Sequence, residues 1–174
     1  LFFAGNDFAP ATTIQGQPAQ EFLQERFCAA MAQVARALRG EPNVIGFDIL
    51  NEPNAGFVGA PNAADVTDNK FYCGWRISIW DGIRLGIGNR VVVDFFDSFL
   101  MYAGKRDLGG EVSAWSDPDQ CVWRQNGVWD WQDGRPVLLK PHYFSRNPRT
   151  GKRVDFLADY AIPFWNRAAQ AIRA

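Results

Sequence analysis

Val44-Ile45-Gly46-Phe47-Asp48-Ile49-Leu50-Asn51-Glu52-Pro53 is the stretch on which the reading of this 174-residue chain turns. Its first seven positions form a short, nearly continuous apolar run, rich in β-branched residues and bounded by Pro42 and Pro53. Such a run predicts a strand buried on both faces, the kind found in parallel sheets covered by helices. Asp48, inside it, is expected to face a barrel wall or a covering helix as a satisfied polar group. The polar residues Asn51-Glu52-Pro53 follow at the C-terminal end. In α/β barrels that end carries the chemistry, because strand ends hold side chains rigidly while the loops beyond them vary.

The segments on either side support an α/β reading. From about Pro18 to Arg39 the chain predicts a helix, with Pro18 suited to the first helical position and Gly40 to the stop. Leu23, Phe27, Met31, Val34 and Leu38 recur at three- and four-residue steps as its apolar stripe. A second amphipathic helix is predicted from about Val154 to Ala174. Leu157, Ala161, Phe164, Ala168 and Ile172 share its face, with a kink at Pro163. Between lies a long stretch, 54–141, rich in Gly and aromatic residues and weakly periodic. Arg90–Phe96 and Arg135–Leu139 read there as strands, and Trp123–Trp131 as a hairpin or wound loop. A stretch of that length after one strand is expected to be an insertion.

Residue chemistry then suggests what Glu52 could do. Breaking a glycosidic bond at neutral pH needs a proton for the leaving oxygen and a carboxylate to meet the charge at the sugar carbon. Glu52 suits the donor if burial and neighbours raise its pKa. Asn51 suits a hydrogen bond to the sugar 2-hydroxyl, and Pro53 fixes the backbone just beyond.

Several segments together resemble one family. Val44–Pro53 resembles the fourth strand of glycoside hydrolase family 5, (β/α)8-barrel enzymes that retain anomeric configuration. Phe2-Phe3-Ala4-Gly5-Asn6-Asp7-Phe8-Ala9-Pro10 and Gly56-Phe57-Val58-Gly59 are similar to its endoglycoceramidase-related branch of glucosylceramidases and steryl β-glucosidases. So are Ser113-Ala114-Trp115, Cys121-Val122-Trp123-Arg124, Gly127-Val128-Trp129, Val137–Phe144 and Asp155–Phe164.

The resemblance implies a partial TIM barrel around strand 4 and its flanking helices. Residues 1–174 would form a fragment of one barrel domain, with 54–141 inserted within it, since a full barrel takes about 250 residues. It implies hydrolysis of a glycolipid β-glucoside by double displacement, with Glu52 as acid/base, Asn51 binding substrate and the nucleophilic glutamate outside these residues. It implies neither metal nor organic cofactor. A β-1,4-glucanase acting on oligosaccharides, and a non-catalytic sugar- or lipid-binding pseudoenzyme, are the alternative expectations.

Other features weigh less. His142 resembles the His-x-Tyr element of family 5, but a structural or peripheral role is expected. Trp75, Trp80, Trp115, Trp123, Trp129 and Trp131 suit either a satellite core or a wall for a lipid aglycone. Arg146, Arg149, Lys152 and Arg153 read as a solvated basic turn. The formal net charge of −1 gives no footprint for nucleic acid or an anionic membrane. No run reaches spanning length, so substrate access at a membrane surface is compatible with the chain and stable insertion is not expected. The three cysteines, Cys28, Cys73 and Cys121, show no metal-ligand spacing and favour a reduced, cytoplasmic chain, with a Cys73–Cys121 disulfide left open.

Overall fold

The computed structural model describes residues 1–66, 74–97, 101–110 and 112–174. In chain order its elements are α1 (Gly5–Phe8), β1 (Thr13–Ile14), β2 (Gln17–Pro18), α2 (Ala19–Ala37), β3 (Gly74–Arg76), α3 (Ile79–Gly86), β4 (Val91–Phe96) and β5 (Tyr102–Leu108). Then follow α4 (Val122–Gln125), β6 (Trp129–Gln132), β7 (Arg135–Leu138), a π-helical turn (Leu157–Ala161) and α5 (Ile162–Arg173). The chain forms two compact units. The first comprises residues 1–59 and 145–174, the second residues 60–144.

The first unit is built on the packing of α2 against α5. Cys28 of α2 and Phe164 and Ala168 of α5 are its buried centre, with Phe2, Phe3, Phe27, Ile49 and Trp165 packed around them. Phe2, Phe27 and Phe3 meet the Phe164 ring edge-on at centroid distances of 4.8, 5.3 and 5.5 Å. These are the T-shaped contacts that aromatic quadrupoles prefer.

The buried face of α2 differs from the expected stripe. It runs through Gln24, Cys28 and Ala32, whereas Val34 and Leu38 are exposed. Small side chains at 28, 32 and 168 let the helices approach. Gln24 is tolerated inside because its amide donates to Phe2 O and its oxygen accepts from Arg167. Gly5 serves a similar end, since a Cβ there would lie 3.2 Å from the Cβ of Gln20.

Pro163 does not kink a continuous helix. The turn before it is π-helical, and Pro163 stands in the first turn of α5. A proline inside an α-helix lacks its N–H and clashes with the carbonyl four residues back, here Asp159. A wider turn at 157–161 relieves both problems. Leu157, expected on the apolar face, is exposed.

Val44–Leu50 differs from the expected paired strand among the described residues. It is extended but forms no strand ladder with any described segment. Ile49 reaches the helical core, and Phe47 is half-buried, while Ile45 is fully exposed and Asp48 points to solvent rather than to a wall. The apolar composition asks for cover on both faces, and the described residues supply it on one. A parallel strand also needs neighbours for its backbone groups, which no helix can provide. The strand pairs among the described residues are all antiparallel, and they close no barrel.

The second unit contains the antiparallel sheet β3-β4-β5 and the hairpin β6–β7. Asp133 and Gly134, both at positive φ, make the two-residue hairpin turn that pairs Gln132 with Arg135. Helix α3 starts on a capping box. Ser78 accepts from the Asp81 N–H, and Asp81 accepts from the Ser78 N–H. Trp129, Val128, Phe144 and Cys121 are fully buried in this unit. Cys28 and Cys121 are buried thiols. The Cys73 half of the disulfide left open by the sequence lies outside the described residues.

Candidate functional site

Asn51, Glu52 and Pro53 terminate the extended segment in the first unit. Ile45, Phe47 and Ile49 line a groove with Ala169, Ile172 and Arg173 near the end of α5, and Ile49 also packs against the cluster of Cys28, Phe164 and Ala168. The chain beyond it brings Gly59 beside Val154, ahead of the π-helical turn, so the segment runs against the direction of α5 and Asn51 and Glu52 lie toward the end of the unit where α5 begins.

Glu52 has φ +41°, in the left-handed region that L-residues with long side chains seldom adopt. Beyond it, Asn54 Oδ1 accepts from the Gly56 N–H at 2.6 Å and turns the chain into the loop 54–59. Both Asn51 and Glu52 are exposed. The burial expected to make Glu52 a proton donor is thus not supplied by the residues packed around it here. An exposed, backbone-strained carboxylate at a segment end can donate a proton to a bound substrate only if further protein or the substrate itself desolvates it.

The other candidates fall elsewhere. His142 is exposed in the second unit, and its Nδ1 donates to the Pro61 carbonyl at 2.8 Å, which fixes the proton on that nitrogen. Trp129 is the centre of that unit's core, with Trp80 and Trp131 rings at 6.1 and 5.4 Å. Trp123 packs edge-on against Phe144. Trp75 is 60% exposed and Trp115 half-buried.

Of the basic run, Arg149 is not merely solvated. Its Nε lies 3.0 Å from Asp7 Oδ2, which also accepts from the Tyr160 hydroxyl at 2.9 Å. Burial, reinforced by Asp7, raises the Tyr160 pKa well above the usual phenol range. Nearby, Glu21 accepts from Asn6 and from Arg167, both at 2.8 Å. The Asn6 hydrogen bond, with a lesser contribution from Arg167, lowers the Glu21 pKa against the opposing effect of burial. Sequence reading missed both networks, because their partners lie about 145 residues apart along the chain. The one available signal was a cation at Arg149 in a turn otherwise closed by the buried Asn147.

No family model matches the chain. A glucosylceramidase of Rhizopus delemar is 34% identical over all of this chain and 26% of its own length. An ergosteryl-β-glucosidase of Saccharomyces cerevisiae is 30% identical over 96% of the chain and 26% of its own length. The likeness is to glucosylceramidases and steryl glucosidases. The crystal structure of sterylglucosidase 1 of Cryptococcus neoformans superposes with a TM-score of 0.85 over 99% of the chain, at 27% identity. The chain spans about a quarter of the length of these relatives (26 to 28%). Among the described residues no helix is long and apolar enough to cross a membrane.

Proposed function

We propose that these residues belong to a retaining β-glucosidase of the family 5 type, acting on a glycolipid such as glucosylceramide or a steryl glucoside. The observation that carries the reading is the likeness, over the whole of this chain, to about a quarter of enzymes of those names, at up to 34% identity, running through the segment that ends in Asn51-Glu52-Pro53. In this reading Val44–Leu50 is the fourth strand of a (β/α)8 barrel, and 54–141 is an insertion behind it. Further strands pair with its open backbone and cover Ile45 and Asp48.

The chemistry then divides between Glu52 and a carboxylate supplied from outside the 174 residues. That second carboxylate attacks the anomeric carbon and forms a glycosyl-enzyme. Glu52, desolvated by the closed barrel and the bound glycolipid, passes its proton to the departing aglycone oxygen. It then takes a proton from the water that releases glucose. Asn51 holds the sugar 2-hydroxyl, a contact that tightens as charge develops. Substrate would be drawn from a membrane surface.

The test is leaving-group dependence in the full protein. Glu52→Gln is expected to slow hydrolysis of glucosylceramide or a steryl glucoside by about 100- to 10,000-fold. An aryl glucoside whose phenol leaves unprotonated should be cleaved to its glycosyl-enzyme nearly as fast as before. Undiminished turnover of the natural glycolipid by the variant eliminates Glu52 as acid/base.

A further inference from the structure

Away from Glu52, the first unit holds a cavity of about 240 Å³. The first turns of α2 meet the π-helical turn and the start of α5 there, with α1 at the rim. Gln20, Glu21 and Gln24 line one side, Asp7 and Arg149 another, and Tyr160 and Arg167 a third. Phe3 and Pro163, with Phe164 behind, supply an apolar wall.

Two of the three carboxylates in the lining are held in ion pairs, and the third, Asp159, accepts from the Asp155 N–H. Asp7 holds Arg149, and Glu21 holds Arg167. An anion entering would find both guanidinium groups already held and a surplus carboxylate beside them, so its lost hydration would go largely uncompensated. A neutral ligand bearing several hydroxyls meets a different surface. Each hydroxyl both donates and accepts. Asp7 spends only Oδ2 on Tyr160 and Arg149, which leaves Oδ1 as an acceptor. Gln20 spends its oxygen on the Asn6 N–H, which leaves its amide as a donor. The C–H face of a sugar ring suits the Phe3 and Pro163 wall. The volume lies below the roughly 300–1,000 Å³ of sites for drug-sized ligands and admits one ring rather than a chain or a lipid.

We infer that this cavity is a binding site for a single neutral sugar ring, separate from Glu52 and placed at the same end of the unit. It stands whether or not Glu52 is catalytic.

Hydrogen exchange read by mass spectrometry on the full protein tests the site locally, with methyl β-D-glucopyranoside as probe. The glucoside is expected to slow exchange at least threefold in peptides covering residues 3–9 and 145–151, in the wild type and equally in Glu52→Gln. Gln20→Trp, which fills the cavity from its half-buried wall without removing either ion pair, should abolish that protection. Protection confined to peptides around Glu52 in the wild type overturns the inference, a result that needs no variant to fold. So does protection that persists in a folded Gln20→Trp protein, or protection given by inorganic phosphate and not by the glucoside.

Discussion

The helix pair α2–α5 and the extended segment Val44–Leu50 share one unit and one core, yet they depend on the rest of the molecule in opposite ways. Each helix satisfies its own backbone hydrogen bonds and needs a neighbour only for its apolar face. Phe164, 1% exposed and ringed by three phenylalanines, shows that need fully met. The extended segment is equally apolar, but its backbone groups point sideways and must be paired by other strands. Ile49 finds the helices, whereas Ile45 gains no cover from the described residues. A helix can be complete inside a short stretch of chain, and an inner strand cannot.

The largest expected effect lies on the helical side. Phe164→Ala removes the ring on which the edge-on contacts converge and should cost about 3–5 kcal/mol, read as a lowered urea midpoint. A loss under about 1 kcal/mol would mean the helices are held by something other than this cluster.

Ile45→Ala probes the other side. If strands cover that face in the full protein, the substitution should cost about 2–4 kcal/mol. A fully exposed Ile45 predicts a change within about 0.5 kcal/mol, which would sink the barrel reading.

The smallest effect lies in the link between the helices. The Glu21 carboxyl is held below its ordinary pKa, first by Asn6 and then by Arg167. Its stabilising contribution is therefore present above the unfolded value of about 4.3 and is lost as pH falls through the depressed folded value. Both partners are about one-third exposed, so the contribution should stay below about 1 kcal/mol. Comparing urea midpoints at neutral and acidic pH should show Glu21→Gln losing less stability on acidification than the wild type.

What could be read from the residues follows the same division. Helix α2 and the apolar face of α5 were legible because a 3.6-residue period needs no knowledge of distant partners. β4 was legible from its β-branched run and β7 from a short apolar run. α3 was missed although Ser78 and Asp81 stand at capping-box spacing, with Ile79 and Ile83 one turn apart. β5 carries Gly104-Lys105-Arg106-Asp107 and offers no alternation to detect. It is a strand only because β4 pairs with it. The π-helical turn before Pro163 could have been anticipated from the proline, since the ring that forbids a regular turn also invites a wider one. At the site, Asn51 and Glu52 could be nominated by position. Their environment could not, because cover for a strand end comes from segments remote in sequence.

The left-handed backbone of Glu52 sets protein engineering against itself. A long side chain at φ +41° carries about 1–2 kcal/mol of conformational cost that glycine would not. Glu52→Gly should therefore melt higher than the wild type in a thermal scan while abolishing the proposed chemistry. A library of variants ranked by heat resistance alone would discard the carboxylate early and count the loss as an improvement.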